Sequence, residues 1–172
     1  MKKILLSLLL LSIFCANRSL AQDSTSTKGW TAADRSGFVG DCIKTAKVNI
    51  GEDSARSYCY CMQEKIERKY PIAADAVKIT AADMASPEWK KEIQDCLTIT
   101  STWPSQERAN FISTCTNSAK AGLGEQRAKN YCECMLYKIE KKYPSSTEAA
   151  TITAEVMESP EFKKMVQDCL KF

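Results

Sequence analysis

The chain repeats itself at a fixed offset of 73 residues. Residues 30–97 align with residues 103–170 without a gap, and 33 of the 68 aligned positions are identical. Each repeat carries four cysteines in the same pattern, C-x16-C-x-C-x34-C. A tandem repeat of this kind folds as copies of one structural unit, so a structure predicted for one repeat must also suit the other.

The duplication also predicts how the chain is divided. We expect a signal peptide, a flexible N-terminus, a first helical repeat, a linker and a second helical repeat, in the ranges 1–21, 22–29, 30–97, 98–102 and 103–172. The linker is short and polar, and each repeat is long enough to form a small core of its own.

The first 21 residues have the features of an export signal. Lys2 and Lys3 are followed by an apolar run over residues 4–14, and Ser19 and Ala21 are the small residues that a signal peptidase requires. Cleavage after Ala21 would leave an exported protein, periplasmic or extracellular. The apolar run is shorter than the about 20 residues that a membrane span needs, so no span is expected.

A lipid anchor is the alternative reading of the leader. Cys15 ends the apolar run and could carry a lipid, as in bacterial lipoproteins. Phe14 stands before it, where such signals have a small residue. We therefore favour the unanchored form.

Charge and composition exclude several functions. Lys plus Arg number 24 and Asp plus Glu 21, but three of the cations lie in the leader, so the mature chain carries 21 of each sign. It lacks the basic surface of a nucleic-acid-binding protein. Histidine is absent, and with it the commonest general base and metal ligand. We expect no enzymatic activity, no cofactor and no nucleic-acid partner.

The apolar residues follow a helical period in both repeats. Phe38, Cys42 and Ala46 recur at every fourth position and form one stripe of a first helix. A second helix should end before Pro71, and a last helix should begin at Ser86-Pro87. A third segment runs loosely to Met84 in one repeat and to Met157 in the other. The prediction is an all-α fold with about four helical segments in each repeat.

Eight cysteines of the mature chain predict a disulfide framework, because an exported chain with evenly repeated cysteines is normally cross-linked. A tetrahedral zinc site is the alternative that a cytosolic protein would favour. Thiol–disulfide catalysis at the C-x-C pair is a weaker alternative, because it requires an exposed thiolate. The disulfide cysteines are Cys42, Cys59, Cys61, Cys96, Cys115, Cys132, Cys134 and Cys169.

Helix geometry restricts the pairing of these cysteines. Cys59 and Cys61 lie two residues apart, or about 200 degrees around a helix axis, so each must bond to a different helix. A turn near residue 50 places Cys42 opposite Cys59, which leaves Cys96 for Cys61. The other arrangement, Cys42 with Cys61 and Cys59 with Cys96, remains open.

The two repeats differ most informatively at three positions. Leu136, Tyr137 and Val156 of the second repeat replace Gln63, Glu64 and Asp83 of the first. These apolar residues could pack the repeats together, or they could form a docking surface for a partner. The sequence does not decide between the two.

The repeated unit, with Tyr58-Cys59-Tyr60-Cys61-Met62 leading to Lys69-Tyr70-Pro71, resembles small exported bacterial helical proteins of unknown function. That resemblance implies an exported helical fold and brings no site residues. Plant lipid-transfer proteins are also helical with eight cysteines, but they have an adjacent Cys-Cys pair that this chain lacks.

Together these features predict an exported, non-enzymatic binding or protein-interaction module. The alternative is a carrier that holds a small apolar ligand between its helices. The partner is accordingly an unidentified protein or a small apolar ligand.

Overall fold

A computed structural model describes residues 29–99 and 101–172. Within these ranges the chain forms ten helices and no strand, which confirms the all-α prediction. The first repeat contains α1 (Ala32–Ile50), α2 (Glu52–Lys69), α3 (Ala73–Ala76), α4 (Ala81–Met84) and α5 (Pro87–Leu97). The second repeat contains α6 (Ser105–Leu123), α7 (Glu125–Lys142), α8 (Ser146–Ala149), α9 (Ala154–Glu158) and α10 (Pro160–Cys169).

A single glycine joins the two long helices of each repeat. Gly51 separates α1 from α2 with φ 78° and ψ 160°, and Gly124 separates α6 from α7 with φ 76° and ψ 159°. Glycine alone adopts this backbone conformation readily. The chain therefore reverses within one residue, and the two helices pack as an antiparallel hairpin.

The third segment is two short helices rather than one loose helix, so each repeat has five helices instead of about four. Thr80 has an extended backbone, and its hydroxyl accepts a hydrogen bond from the Asp83 amide while the Asp83 carboxylate bonds back to the Thr80 amide. This capping box starts a new helix, α4, immediately after the turn that ends α3. Thr153 likewise caps α9 in the second repeat.

Four disulfides tie the helices together. Cys42–Cys59 joins α1 to α2, and Cys61–Cys96 joins α2 to α5. The second repeat has the equivalent bonds, Cys115–Cys132 and Cys134–Cys169. The favoured pairing is confirmed, and every bond stays within its own repeat.

A tryptophan fastens the start of each repeat to the end of its second helix. The indole N–H of Trp30 donates to the Tyr70 carbonyl at 2.8 Å, and that of Trp103 donates to the Tyr143 carbonyl at 3.0 Å. Each indole also meets a phenylalanine of the first helix edge to face, Phe38 for Trp30. These contacts hold the first helix across the second.

Helices α2 and α7 lie at the centre, where the two repeats meet. The segments 59–63 and 132–137 are buried without interruption. One side of α2 faces α1 and another faces α5, through the two disulfides, and a third side packs on α7 of the other repeat. The middle of α2 is therefore surrounded by other helices, as expected for a core element, while its ends carry exposed charged residues.

Of the helices described, none combines the length and the apolar content that crossing a lipid bilayer requires. The predicted signal peptide, Cys15 and the mature N-terminus at Gln22 lie outside the described residues.

Candidate functional site

Each repeat has one large apolar groove on its surface. Groove 1, in the first repeat, has a volume of about 580 Å³, and groove 2, in the second repeat, has about 720 Å³. Six positions that are equivalent in the duplication line both grooves: Asp34, Phe38, Asp41, Ile66, Ile79 and Met84 in groove 1, and Glu107, Phe111, Thr114, Ile139, Ile152 and Met157 in groove 2. The duplication has therefore produced the same groove twice.

The short helices explain why the grooves exist. The first helix contributes Phe38 from its apolar stripe, and the second contributes Ile66. A helix of four or five residues covers too little of this surface to close it. Val77 at the edge of groove 1 is 74% exposed, and Met157 in groove 2 is 46% exposed. The grooves consequently open to solvent.

The charged side chains that line the two grooves are acidic. Among the described residues, the charged side chains that line them are all carboxylates, Asp34 and Asp41 in groove 1 and Glu107 in groove 2. Asp34 and Asp41 lie two turns apart on α1, on either side of Phe38. Groove 1 thus has an apolar floor with a carboxylate on either side, and the carboxylate of Asp41 is paired with Lys44 of the same helix at 2.8 Å.

The grooves differ in their remaining walls. Tyr131, Met135 and Phe162 make groove 2 the more aromatic and more apolar of the two. Val156 lies half-buried on α9, beside Met157 of the groove 2 lining.

Leu136 and Tyr137 lie elsewhere. Both are buried, at 5% and 3% exposure, and the Tyr137 hydroxyl donates to the Glu64 carboxylate of the first repeat at 3.1 Å. Gln63, the equivalent of Leu136 in the first repeat, is buried as well, at 2% exposure. Their burial favours packing between the repeats over docking of an external partner.

Ionic contacts accompany this packing. Arg108 pairs with Glu140 at 2.5 Å within the second repeat and with Asp53 of the first at 3.1 Å. Arg56 of the first repeat pairs with Glu133 of the second. The sequence does not reveal these residues, because in a helical pattern a carboxylate that will be buried is indistinguishable from a surface charge. Glu133 lies between Cys132 and Cys134, whose disulfides run to α6 and α10 of the same repeat. The Glu133 side chain lies on the side of α7 that faces the first repeat, where it meets Arg56.

The C-x-C pairs are part of the core. Cys59 and Cys61 are 0% and 4% exposed, and their sulfurs bond to different helices. The equivalent pair of the second repeat has the same surroundings. Among the described cysteines, all sulfurs are therefore engaged in disulfides that join helices of the same repeat.

No family model matches the chain, and no curated protein or solved structure is significantly similar to it.

Proposed function

We propose that this protein is an exported, non-enzymatic binding module, and that grooves 1 and 2 receive apolar side chains from a segment of a partner protein. The observation that carries the proposal is the presence of the same open apolar groove in both repeats. Contiguous exposed apolar surface is costly in a free protein and typically marks an interaction site.

The open shape favours a protein segment as the occupant. An amphipathic helix lays apolar side chains at positions i, i+3 and i+4 into a groove and keeps its polar face in solvent. Exposed groove edges such as Val77 and Met157 allow this. The carboxylates of Asp34 in groove 1 and Glu107 in groove 2 complement a segment with lysine or arginine beside its apolar side chains.

Two grooves on one chain also allow a partner to bind twice. A partner with two apolar segments would bind its second groove intramolecularly, at a raised effective concentration. This gain requires that both grooves stay available at once.

A carrier of a small apolar ligand is the second candidate. The groove volumes of about 580 and 720 Å³ lie within the range of small-molecule pockets, roughly 300 to 1,000 Å³. Such pockets normally enclose most of the ligand, however, and these grooves have exposed edges. We therefore rank this function second.

Export is the cellular part of the proposal. Four disulfides are typical of an oxidising compartment. Together with the leader sequence they support export to the periplasm or the extracellular medium. Intact mass of the exported protein should correspond to a chain that begins at Gln22 and has its disulfides formed, whereas a lipid on Cys15 would contradict it.

The binding proposal is tested with two probes and matched variants. The probes are an amphipathic helical peptide of Leu and Lys and the neutral amphiphile dodecanol, titrated against the mature protein by calorimetry. The variants Met84→Gln and Met157→Gln place a neutral polar side chain in groove 1 and groove 2 at equivalent positions, so the charge of each groove is unchanged. Val48→Gln is the control, because Val48 is 81% exposed and lines neither groove.

We expect the peptide to bind more tightly than dodecanol. Since burial of one methionine side chain contributes about 1.5 to 3 kcal/mol, each methionine variant should weaken peptide binding at its own groove about tenfold or more. V48Q should leave the affinity unchanged. Tighter binding of dodecanol would favour the carrier function. Equal effects of all three variants would show that the grooves are not the binding sites.

A further inference from the structure

Two pairs of equivalent residues contact each other across the centre of the molecule. Tyr60 and Glu133 occupy the same position in their repeats, 73 residues apart, and the Tyr60 hydroxyl lies 3.4 Å from the Glu133 carboxylate. Glu64 and Tyr137 are likewise equivalent, and the Tyr137 hydroxyl donates to Glu64 at 3.1 Å. Residues that meet their own equivalents indicate that α2 and α7 cross at a pseudo-twofold axis.

The four residues Tyr60, Glu64, Glu133 and Tyr137 form one cluster, which we call the Tyr–Glu tetrad. The two tyrosine rings stack at its centre with their centroids 5.9 Å apart and their planes at 17°. Each hydroxyl points to the glutamate of the other repeat. The first repeat thus has Tyr followed by Glu one turn later, and the second repeat has the reverse order.

Basic residues complete the cluster. Arg56 pairs with Glu133, and Lys138 pairs with Glu64, each across the repeat boundary. Burial, together with the charge of Glu133, raises the pKa of the Tyr60 hydroxyl well above 10. Burial and Glu64 do the same for the pKa of Tyr137. Both hydroxyls therefore remain protonated at any physiological pH. The Tyr137 hydroxyl donates to Glu64, and the Tyr60 hydroxyl shares its proton between the Asn130 carbonyl at 3.2 Å and the Glu133 carboxylate at 3.4 Å, both of the second repeat.

The reversed order has a consequence for which surfaces can pair. On a twofold axis, two copies of the first repeat would set Glu64 against Glu64, and two copies of the second would set Glu133 against Glu133. Glu133 is only 8% exposed, so two such carboxylates would share a desolvated site. Like charges in such a site are strongly unfavourable and are a means by which interfaces reject wrong partners.

We propose that the reversed order of Tyr and Glu makes the inner face of each repeat a recognition surface for the other repeat. The same order prevents that face from pairing with a second copy of its own repeat. Pairing between the repeats then explains why the second repeat has Tyr137 where the first has Glu64. This inference is independent of ligand binding in the grooves, because the tetrad lines neither of them.

The test is a double-mutant cycle on the full mature chain. Y137E sets two carboxylates against each other, E64Y sets two tyrosines against each other, and E64Y/Y137E restores one of each in reversed order. Urea unfolding measures stability, and sedimentation measures the molar mass. A second cycle with Y60E, E133Y and Y60E/E133Y repeats the test at the other pair.

We expect Y137E to raise the unfolding equilibrium constant by about tenfold or more, and E64Y/Y137E to recover most of that loss while the protein stays monomeric. Y131E with E64Y is the matched control, because Tyr131 is a half-buried tyrosine of groove 2, and here the two effects should add. If Y137E does not fold, recovery of a folded E64Y/Y137E supports the proposal. Purely additive losses in both cycles, or a double variant that also fails to fold, would overturn it.

Discussion

At the scale of single residues, Gly51 determines where the first helical hairpin turns. Its φ of 78° and ψ of 160° lie in a region that residues with a side chain rarely adopt. A Cβ built on Gly51 would meet no described atom within 4 Å. Any cost of adding a side chain there therefore comes from the backbone conformation rather than from a steric clash.

We expect Gly51→Ala to lower the free energy of unfolding by about 1 to 3 kcal/mol, because alanine is strained in this conformation. Gly37→Ala is the matched control, since Gly37 lies inside α1 with equal space around it. That change should stabilise the protein by about 0.5 to 1 kcal/mol through better helix propensity. Urea unfolding of both variants measures this, and a neutral effect of G51A would show that the turn tolerates a side chain.

Asp53 is a second residue with a defined effect on stability. Partial burial raises the pKa of its carboxyl, but the hydrogen bond from Ser105 and the charge of Arg108 more than offset this and hold the pKa below the ordinary 3.8. Ser105 and Arg108 belong to the second repeat, and Ser105 donates to Asp53 at 2.7 Å. The ionised carboxylate therefore links the repeats.

Because the pKa of Asp53 is lower in the folded protein than in the unfolded chain, its contribution is complete above about pH 4 and is lost as the pH falls through the folded value. We expect Asp53→Asn to cost about 1 kcal/mol at pH 6, and the difference from the unchanged protein to shrink as the pH falls below about 4. Urea unfolding at several pH values provides the measurement.

Asp41→Asn is the control for this prediction. Because Asp41 forms an exposed ion pair, the change should alter the free energy of unfolding by less than about 0.5 kcal/mol at every pH. A D53N difference that is constant with pH would contradict the assignment.

At the scale of helices, the second helix of each repeat is held from two sides by disulfides. Cys42–Cys59 closes a sequence separation of 17 residues, and Cys61–Cys96 closes one of 35. In the chain-entropy model, loops of these lengths correspond to about 3 and about 4 kcal/mol of stability.

The double variant C61A/C96A should therefore lose more stability than C42A/C59A, about 4 against about 3 kcal/mol. Both variants remove a complete bond and leave no free thiol at the site, so each is a control for the other. Thermal unfolding or urea unfolding gives the comparison. The reverse order would show that packing of α1 on α2, rather than loop closure, determines the effect.

The helices also show how far the sequence alone predicts the structure. The long helices were predictable because each has a stripe of apolar residues at helical spacing and a proline or glycine at its end. The break between α3 and α4 was not, because the capping signal at Thr80 and Asp83 lies in a segment with no apolar period. The pairing of Cys61 with Cys96 followed from geometry once Cys42 was placed opposite Cys59.

The candidate site was harder to predict for a physical reason. Phe38 belongs to the predicted apolar stripe of the first helix, and nothing in one helix shows that the short helices leave it uncovered. For Tyr137 the sequence allows both packing between the repeats and docking of a partner, because the residue that it contacts, Glu64, lies in the other repeat. The open grooves and the Tyr137–Glu64 contact both depend on how separate helices pack, and the residue pattern within one helix does not show this.

At the scale of the whole molecule, the two repeats are joined by contacts of several kinds. Arg35 holds Glu67 through two hydrogen bonds, at 2.5 and 2.9 Å, and also donates to the Lys171 carbonyl of the second repeat at 3.2 Å. The Phe172 ring packs on Tyr60 at the centre. These contacts position the repeats relative to each other while grooves 1 and 2 remain open at their surfaces.

The most direct test of binding at the grooves is an NMR titration of methionine methyl groups with the Leu–Lys helical peptide. Met84 lines groove 1 and Met157 lines groove 2, whereas the buried Met62 of α2 lines neither and serves as an internal control. We expect the Met84 and Met157 resonances to shift and saturate together with binding, while the Met62 resonance stays unchanged. Peptide binding without a shift at Met84 or Met157, or no binding at millimolar peptide, would contradict the proposed function.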